Sequence, residues 1–191
     1  MDRNESTGIS SLLGGGADYG QLVPTPTCMC RGTPPTPEQT EGPYYKPDTP
    51  KKISFREDTV GGTPFVVSGQ IINTDGEPVG GALLDFWQVD DSGIYDDDGY
   101  RMRGHQFADP EGHWRLETIV PAIYPGRTRH LHVKVQPPGG EVLTTMLYFP
   151  DERRNHLDKY FRPECLMDIR DTAEGKEATI TIVVHSAHAH D

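Results

Sequence analysis

Short segments rich in β-branched and aromatic residues alternate with turns containing Gly, Pro or Asn along most of residues 65–184. The turns at 73–76 and 109–112 carry the residue types that favour chain reversal. Turns spaced about 8–12 residues apart are typical of a β-sandwich. The predicted strands are 65–72, 82–89, 101–107, 113–119, 130–135, 142–149 and 178–184. The sequence therefore predicts an all-β fold, an antiparallel β-sandwich with long loops and at most one short helix, at 151–161.

The length of 191 residues fits one domain with its own hydrophobic core. The first 40 residues contain few large apolar side chains and many Gly, Pro, Ser and Thr, a composition typical of an extended segment. We therefore expect an extended, partly flexible N-terminal arm at 1–40, a β-sandwich domain at 41–185 and a His-containing tail at 186–191. The arm either lies over the domain or reaches a neighbouring subunit, so it is a candidate for homo-oligomer contacts.

The net charge of −11 argues against a nucleic-acid partner, because phosphate binding needs a cationic surface. It also gives no support for binding to an anionic membrane. The chain has no apolar run of about 18 residues and begins with polar residues, so the sequence predicts neither a membrane span nor a signal peptide. We expect a cytoplasmic location, with secretion as the alternative if a leader had been removed.

The three cysteines, Cys28, Cys30 and Cys165, leave the redox state open. An odd number cannot all pair within one chain, and Cys28 and Cys30 are too close for a relaxed disulfide between them. Either one of them pairs with Cys165 or all three are free thiols. Their spacing matches no common zinc site.

Residues 124–132 contain a phenol, a guanidinium and two imidazoles. In a strand, His130 and His132 point to the same face, because side chains alternate with a period of two. Two imidazoles on one strand supply half of a metal site. Tyrosine is a rare metal ligand, and when ionised it is a hard oxygen donor that suits a trivalent ion such as Fe(III). The run therefore predicts non-haem ferric iron with further ligands elsewhere in the chain.

Two tyrosines are candidates for the missing ligands, one in the loop before the histidine strand and one in the loop after a core strand. With their neighbours they resemble the intradiol ring-cleavage dioxygenases, a family that includes catechol and hydroxyquinol 1,2-dioxygenases and protocatechuate 3,4-dioxygenase. The resemblance begins at the Thr-Pro-Glu-Gln-Thr-Glu-Gly-Pro-Tyr-Tyr segment (36–45) and extends to about Asp151. Its most specific residues are Trp87, Gly93, Tyr95, Tyr124, Arg127, His130 and His132. The chain is similar to the compact members, which lack the N-terminal helical segment used for dimerisation.

The resemblance implies a mononuclear Fe(III) held by Tyr95, Tyr124, His130 and His132. Tyr124 matches the phenolate that leaves when substrate binds, and Arg127 matches the arginine beside the substrate. The implied reaction is cleavage of a catecholic ring between its two hydroxylated carbons. It uses O2 and gives a cis,cis-muconate-type product. Catechol, hydroxyquinol and protocatechuate are all open as substrates.

The segment 143–146, Leu-Thr-Thr-Met, departs from the family pattern Leu-Thr-Thr-Gln, in which the glutamine lies near the reacting ring. Met146 and Tyr45 are the predicted pocket residues, and Tyr44 is expected either at the pocket mouth or in the core. The thioether of Met146 keeps a second function open, a β-sandwich binding protein that retains the metal site with little or no turnover. A zinc hydrolase with the same ligands is a further alternative, which the tyrosines disfavour.

Overall fold

The computed structural model describes residues 32–59 and 61–185, and within them eight strands form two four-stranded sheets. The strands are β1 (Pro64–Asn73), β2 (Leu83–Trp87), β3 (Arg103–Phe107), β4 (His113–Ile119), β5 (His130–Gln136), β6 (Leu143–Tyr148), β7 (Asp168–Asp171) and β8 (Lys176–Val184). One sheet has the order β4-β1-β8-β7, and the other, here called the histidine sheet, has the order β3-β2-β5-β6. Single turns of 3₁₀ helix lie at Arg56–Asp58 and Pro163–Cys165.

The predicted all-β sandwich is confirmed, with one parallel pair in an otherwise antiparallel arrangement. Strand β8 runs parallel to β1, and Phe65 pairs with Lys176. All other neighbouring strands are antiparallel. Strand β7 was not predicted, since its sequence Asp-Ile-Arg-Asp has one apolar residue and no alternating pattern.

Residues 151–161, where the sequence allowed one short helix, form successive turns instead. The amide of Asn155 donates to the carbonyl of Glu152, and the amide of Leu157 donates to the carbonyl of Arg154. The side chains of Asn155 and Asp158 bond to groups outside the segment or to its own backbone. Such side-chain bonds compete with helical hydrogen bonding, which explains the absence of a helix here.

The core lies between the two sheets. Side chains of β5 point alternately into this core and away from it. Leu131, Val133 and Val135 are fully buried in the core cluster. Each such side chain contributes roughly 1.5–3 kcal/mol through burial. Because the strand has a period of two, His130 and His132 lie on the opposite face of the histidine sheet. Packing of the apolar set thereby fixes the direction of the two imidazoles.

The start of the described chain runs along both sheets. The Thr36 amide donates to the carbonyl of Val183 in β8, and the Gln39 amide donates to the carbonyl of Thr144 in β6. Most of the predicted arm (1–40), the tail (186–191), Cys28 and Cys30 lie outside the described residues. In residues 32–59 and 61–185, no helix has the length and apolar character needed to span a membrane.

Candidate metal centre

Strand β5 brings the two predicted histidine ligands together at the outer face of the histidine sheet. The Nε2 atoms of His130 and His132 lie 3.1 Å apart, and the rings are close to perpendicular. Across the sheet, His132 pairs with Trp87 in β2 and with Met146 in β6. Both imidazoles are buried although they face away from the main core.

Hydrogen bonding fixes which nitrogen of His130 carries the proton. Its Nδ1 lies 2.7 Å from the carbonyl oxygen of Thr128, which only accepts, so Nδ1 donates and Nε2 presents its lone pair. The His132 ring stacks on Trp87 with centroids 4.6 Å apart. Its Nδ1 has no partner among the described residues. The lone pair of His130 therefore points toward His132, as expected for one of two ligands that share an ion.

Both histidines are held in the neutral form that metal binding requires. Burial lowers the pKa of His130 to about 4, with a further contribution from the positive charge of Arg127. Burial also places the pKa of His132 well below its usual range, and the neighbouring His130 and Arg127 act in the same direction.

The loops around β2 and β5 pack the two predicted tyrosines against each other and bring Tyr95 close to His132. Tyr95 is almost fully buried, and its ring centroid lies 5.6 Å from that of Tyr124 and 6.2 Å from that of His132. Asp90 stabilises the loop that carries Tyr95, because its carboxylate accepts a hydrogen bond from the Ile94 amide. Burial raises the pKa of Tyr95, whereas the positive charges of Arg127 and Arg103 oppose that rise. A bound cation would act in the same direction as these guanidinium groups.

Tyr44 is the residue of the Gly-Pro-Tyr-Tyr segment that contacts the candidate ligands. Its ring stacks on Tyr95 at a centroid distance of 4.4 Å, and its hydroxyl lies 2.7 Å from that of Tyr124. Tyr45, the predicted pocket residue, packs on Trp87 and donates to Asp85. The adjacent tyrosines thus contact different groups, and no pattern in the sequence distinguishes their positions.

Arg127 and Met146, the other predicted site residues, are in contact with each other. Arg127 Nη2 lies 3.1 Å from Met146 Sδ, and Arg127 Nε donates to Asp158. The guanidinium carbon lies 4.7 Å from the centre of the Tyr160 ring. Met146 is fully buried. The structure therefore groups the predicted ligands with Arg127 and Met146. Tyr45 packs on Trp87 in the same aromatic cluster.

Arg103 is a buried residue of the site that sequence reasoning missed. Its side chain donates to the carbonyls of Tyr44 and Asp96, and its Nη2 has no partner in the described part of the chain. The guanidinium carbon lies 5.9 Å from the centre of the Tyr95 ring. Burial lowers its pKa, and the nearby acidic groups oppose that change. The available signal was a basic residue inside the predicted strand at 101–107.

The donor set fits a hard trivalent ion. Two nitrogens bound to one metal at about 2.1 Å, with bonds near a right angle, lie about 3 Å apart, which matches the Nε2 pair. Phenolate oxygens and neutral imidazoles also suit a ferric ion better than a soft one. Among residues 32–59 and 61–185, no group of three or more His, Cys, Asp or Glu is placed to hold a metal. The tyrosine rings that pack near the histidines are the candidate anionic oxygen donors.

The fold and this cluster define an all-β protein with a histidine–tyrosine site on the outer face of one sheet. The family model described as "Dioxygenase" matches residues 40–177, which is more than half of the chain. This chain therefore belongs to the intradiol ring-cleavage dioxygenase family, as the sequence resemblance predicted.

The relatives of this chain include catechol and hydroxyquinol 1,2-dioxygenases. Catechol 1,2-dioxygenase from Candida albicans is 30% identical over 135 residues, 56% of this chain and 45% of that protein. Hydroxyquinol 1,2-dioxygenase from Nocardioides simplex is 30% identical over 145 residues, 63% of this chain and 49% of that protein. The chain thus spans about half the length of the curated relatives it matches.

A solved structure covers the fold more completely. It is the dioxygenase domain of a dioxygenase carbohydrate-binding protein fusion from the cellulolytic bacterium Streptomyces sp. SirexAA-E. The two chains are 50% identical, and the match covers 81% of this chain and 100% of the other with a TM-score of 0.78. This solved domain is matched along its whole length, whereas the curated relatives are matched along about half of theirs.

Proposed function

We propose that this protein is a non-haem Fe(III) intradiol dioxygenase that opens a catecholic ring between its two hydroxylated carbons. The observation that carries the proposal is the pair of histidine Nε2 atoms, 3.1 Å apart, beside the packed rings of Tyr95 and Tyr124. The proposed ligands are these two tyrosines with His130 and His132. The proposed substrates are a small aromatic diol and O2, and the proposed product is of the cis,cis-muconate type.

Ferric iron, when bound, supplies the Lewis acidity that activates the catecholate ring toward O2. Tyr124 is the proposed acceptor of a substrate proton, at its phenolate oxygen. The hydroxyl of Tyr44 lies 2.7 Å from that of Tyr124, and a hydrogen bond between them would hold Tyr124 in place as a neutral phenol. Arg127 stabilises negative charge as it spreads over the ring, because a charge-assisted bond or a stacked guanidinium favours an anion.

The surrounding side chains limit access of water to the reacting atoms. Trp87 and Met146 are almost completely buried on either side of His132 across the sheet. Low polarity strengthens the electrostatic effect of Arg127 on a bound anion. We propose residues 41–185 as the catalytic domain, because they include all of these groups.

The test is metal analysis and activity of purified protein. We expect about one iron per chain, a burgundy colour from tyrosinate-to-iron charge transfer, and O2 uptake with at least one of catechol, hydroxyquinol and protocatechuate. Product analysis by NMR should show ring opening between the hydroxylated carbons. A colourless protein after iron reconstitution, or bound zinc with hydrolytic activity, would contradict the proposal.

A second candidate is a binding protein with the same metal site and weak or absent turnover. Met146 favours it, because a thioether lies where the family pattern has an amide near the ring. Such a protein would be coloured and would change its visible spectrum on adding catechol, but would consume no O2. The same experiment therefore separates the two functions.

A further inference from the structure

Asp158 is a buried carboxylate in the turns at 151–162. Its Oδ2 accepts hydrogen bonds from Arg127 Nε and from the amide of Thr128, both at 2.8 Å. Its Oδ1 accepts from the amide of Tyr160 at 2.9 Å. The side chain of Asp158 is only 2% exposed, so this arrangement is shielded from solvent. Burial by itself raises the pKa of Asp158, but these hydrogen bonds outweigh it and the net shift is downward.

The Arg127 side chain is restrained on three sides. Asp158 bonds to its Nε, the Tyr160 ring lies under its guanidinium, and Met146 Sδ lies next to its Nη2. An unrestrained arginine samples many side-chain rotamers. Restraint before the reaction removes that ordering cost from the step in which the guanidinium meets a ring.

The same turns also reach a proposed iron ligand through Thr128. Thr128 Oγ1 donates to Asn155 Oδ1, while its amide donates to Asp158. Its carbonyl in turn accepts from Nδ1 of His130. Asp158 is therefore bonded to two consecutive residues of the segment that carries both Arg127 and the first histidine.

We propose that Asp158 is a positioning residue for ring cleavage, which fixes the guanidinium of Arg127 against the substrate ring. The inference rests on the proposed function, because Arg127 has a task only if a catecholic ring reacts there. Glu152, in the same turns as Asp158, forms a comparable ion pair with Arg129. Both of those side chains are more than one-fifth exposed. The buried pair is the one directed at the site, and the Glu152 pair provides a matched control.

The test is a double-mutant cycle on iron-loaded protein with the best substrate of the wild-type enzyme. We expect Asp158→Asn to lower kcat by about tenfold or more with little change in KM, because bound substrate would meet a misplaced guanidinium. Arg127→Ala should lower kcat further. Adding Asp158→Asn to Arg127→Ala should then change kcat by less than about twofold, since residues acting through one another are not additive. A full tenfold loss in that background would overturn the proposal.

Two further measurements separate positioning from loss of structure. Glu152→Gln should retain kcat within about twofold, since its pair does not contact Arg127. In metal-free, ¹⁵N-labelled protein, the Arg127 Nε–H signal should shift and exchange faster in Asp158→Asn, and an unchanged signal would overturn the proposal. If Asp158→Asn does not fold, Tyr160→Leu replaces it, because it removes the ring under the guanidinium and should likewise have little effect once Arg127 is absent.

Failure of the proposed function looks different from failure of this inference. Wild-type protein that contains iron but consumes no O2 with any catechol would contradict the dioxygenase function. Normal wild-type turnover with independent effects of Asp158 and Arg127 would contradict only the positioning role.

Discussion

Met146→Gln restores the residue that the family pattern has at this position, and the structure defines what the new amide would contact. Met146 Sδ lies 3.1 Å from Arg127 Nη2 and 3.6 Å from the Tyr148 hydroxyl. Glutamine has a similar length, so we expect its Oε1 to accept from Arg127 and its amide nitrogen to donate to Tyr148. Both ends of the buried amide would then have partners.

The free-energy terms of this substitution nearly cancel. Loss of a fully buried methionine costs roughly 1.5–3 kcal/mol. A hydrogen bond to a charged donor contributes about 1.5–3 kcal/mol in return. We therefore expect the free energy of unfolding to change by at most about 1.5 kcal/mol, or about 6 °C in Tm for a domain of this size. Turnover of catechol should rise, by about tenfold if the amide lowers the barrier by about 1.4 kcal/mol.

Met167→Gln is the matched control, since Met167 is also buried but packs in the apolar core between the sheets. Its amide would lack partners, at about 1–3 kcal/mol in addition to the lost burial, so the total loss is about 2.5–6 kcal/mol. Thermal unfolding and O2 uptake on both iron-loaded variants measure the difference. Equal destabilisation of the two variants would refute the expected contacts, and unchanged kcat in a stable Met146→Gln would refute a role of position 146 in turnover.

Three other predictions concern single side chains of the site. Tyr124→Phe should remove part of the visible band and most of the turnover of iron-loaded protein; an unchanged spectrum and rate would remove Tyr124 from the ligand set. Tyr44→Phe keeps the ring that stacks on Tyr95 but loses the hydroxyl bonded to Tyr124, so the urea midpoint of unfolding should fall only slightly. A midpoint lowered as far as in Met167→Gln would contradict this assignment of the contact. Because the folded-state pKa of Asp158 is lowered, its stabilising effect is complete above the unfolded-state value of about 3.9 and is lost as pH falls through the folded-state pKa. The stability difference between wild type and Asp158→Asn should therefore shrink on acidification below about pH 4, and a constant difference would contradict the linkage.

Local periodicity accounts for the part of the structure that was predicted. Alternation along β5 places Leu131 and Val133 in the core, and it therefore places His130 and His132 together on the other face. No comparable rule relates Tyr95 to this strand, because a long stretch of chain separates them. Tyr95 was identified by resemblance to a family, and the structure brings its ring close to His132.

The contacts that were missed are long-range hydrogen bonds made by charged side chains. Arg103 lies in a predicted strand, where an arginine is usually solvent-exposed, yet it donates to backbone carbonyls of the preceding loop, at Asp96, and of a distant segment, at Tyr44. Asp158 lies in a segment for which the sequence allowed a helix, and its partners are in the turn before β5. Neither set of contacts can be predicted from the periodicity of the sequence, because each depends on how the loops are placed by the packed sheets.

The guanidinium groups of Arg103 and Arg127 constrain what the tyrosine cluster can contain. Arg127 has Asp158 as its counter-charge, whereas no carboxylate in the described part of the chain forms an ion pair with Arg103. Nearby acidic groups such as Asp96 and Asp97 offset only part of the effect of burial on Arg103, since the net shift of its pKa is downward. The Tyr95 ring lies near the Arg103 guanidinium, and a phenolate at that position would add a further negative charge. A ferric ion bound at the proposed site would also favour the phenolate, so the cation and Arg103 would act on Tyr95 in the same direction. An arginine buried without a carboxylate partner is thus consistent with a site whose anions are tyrosinates.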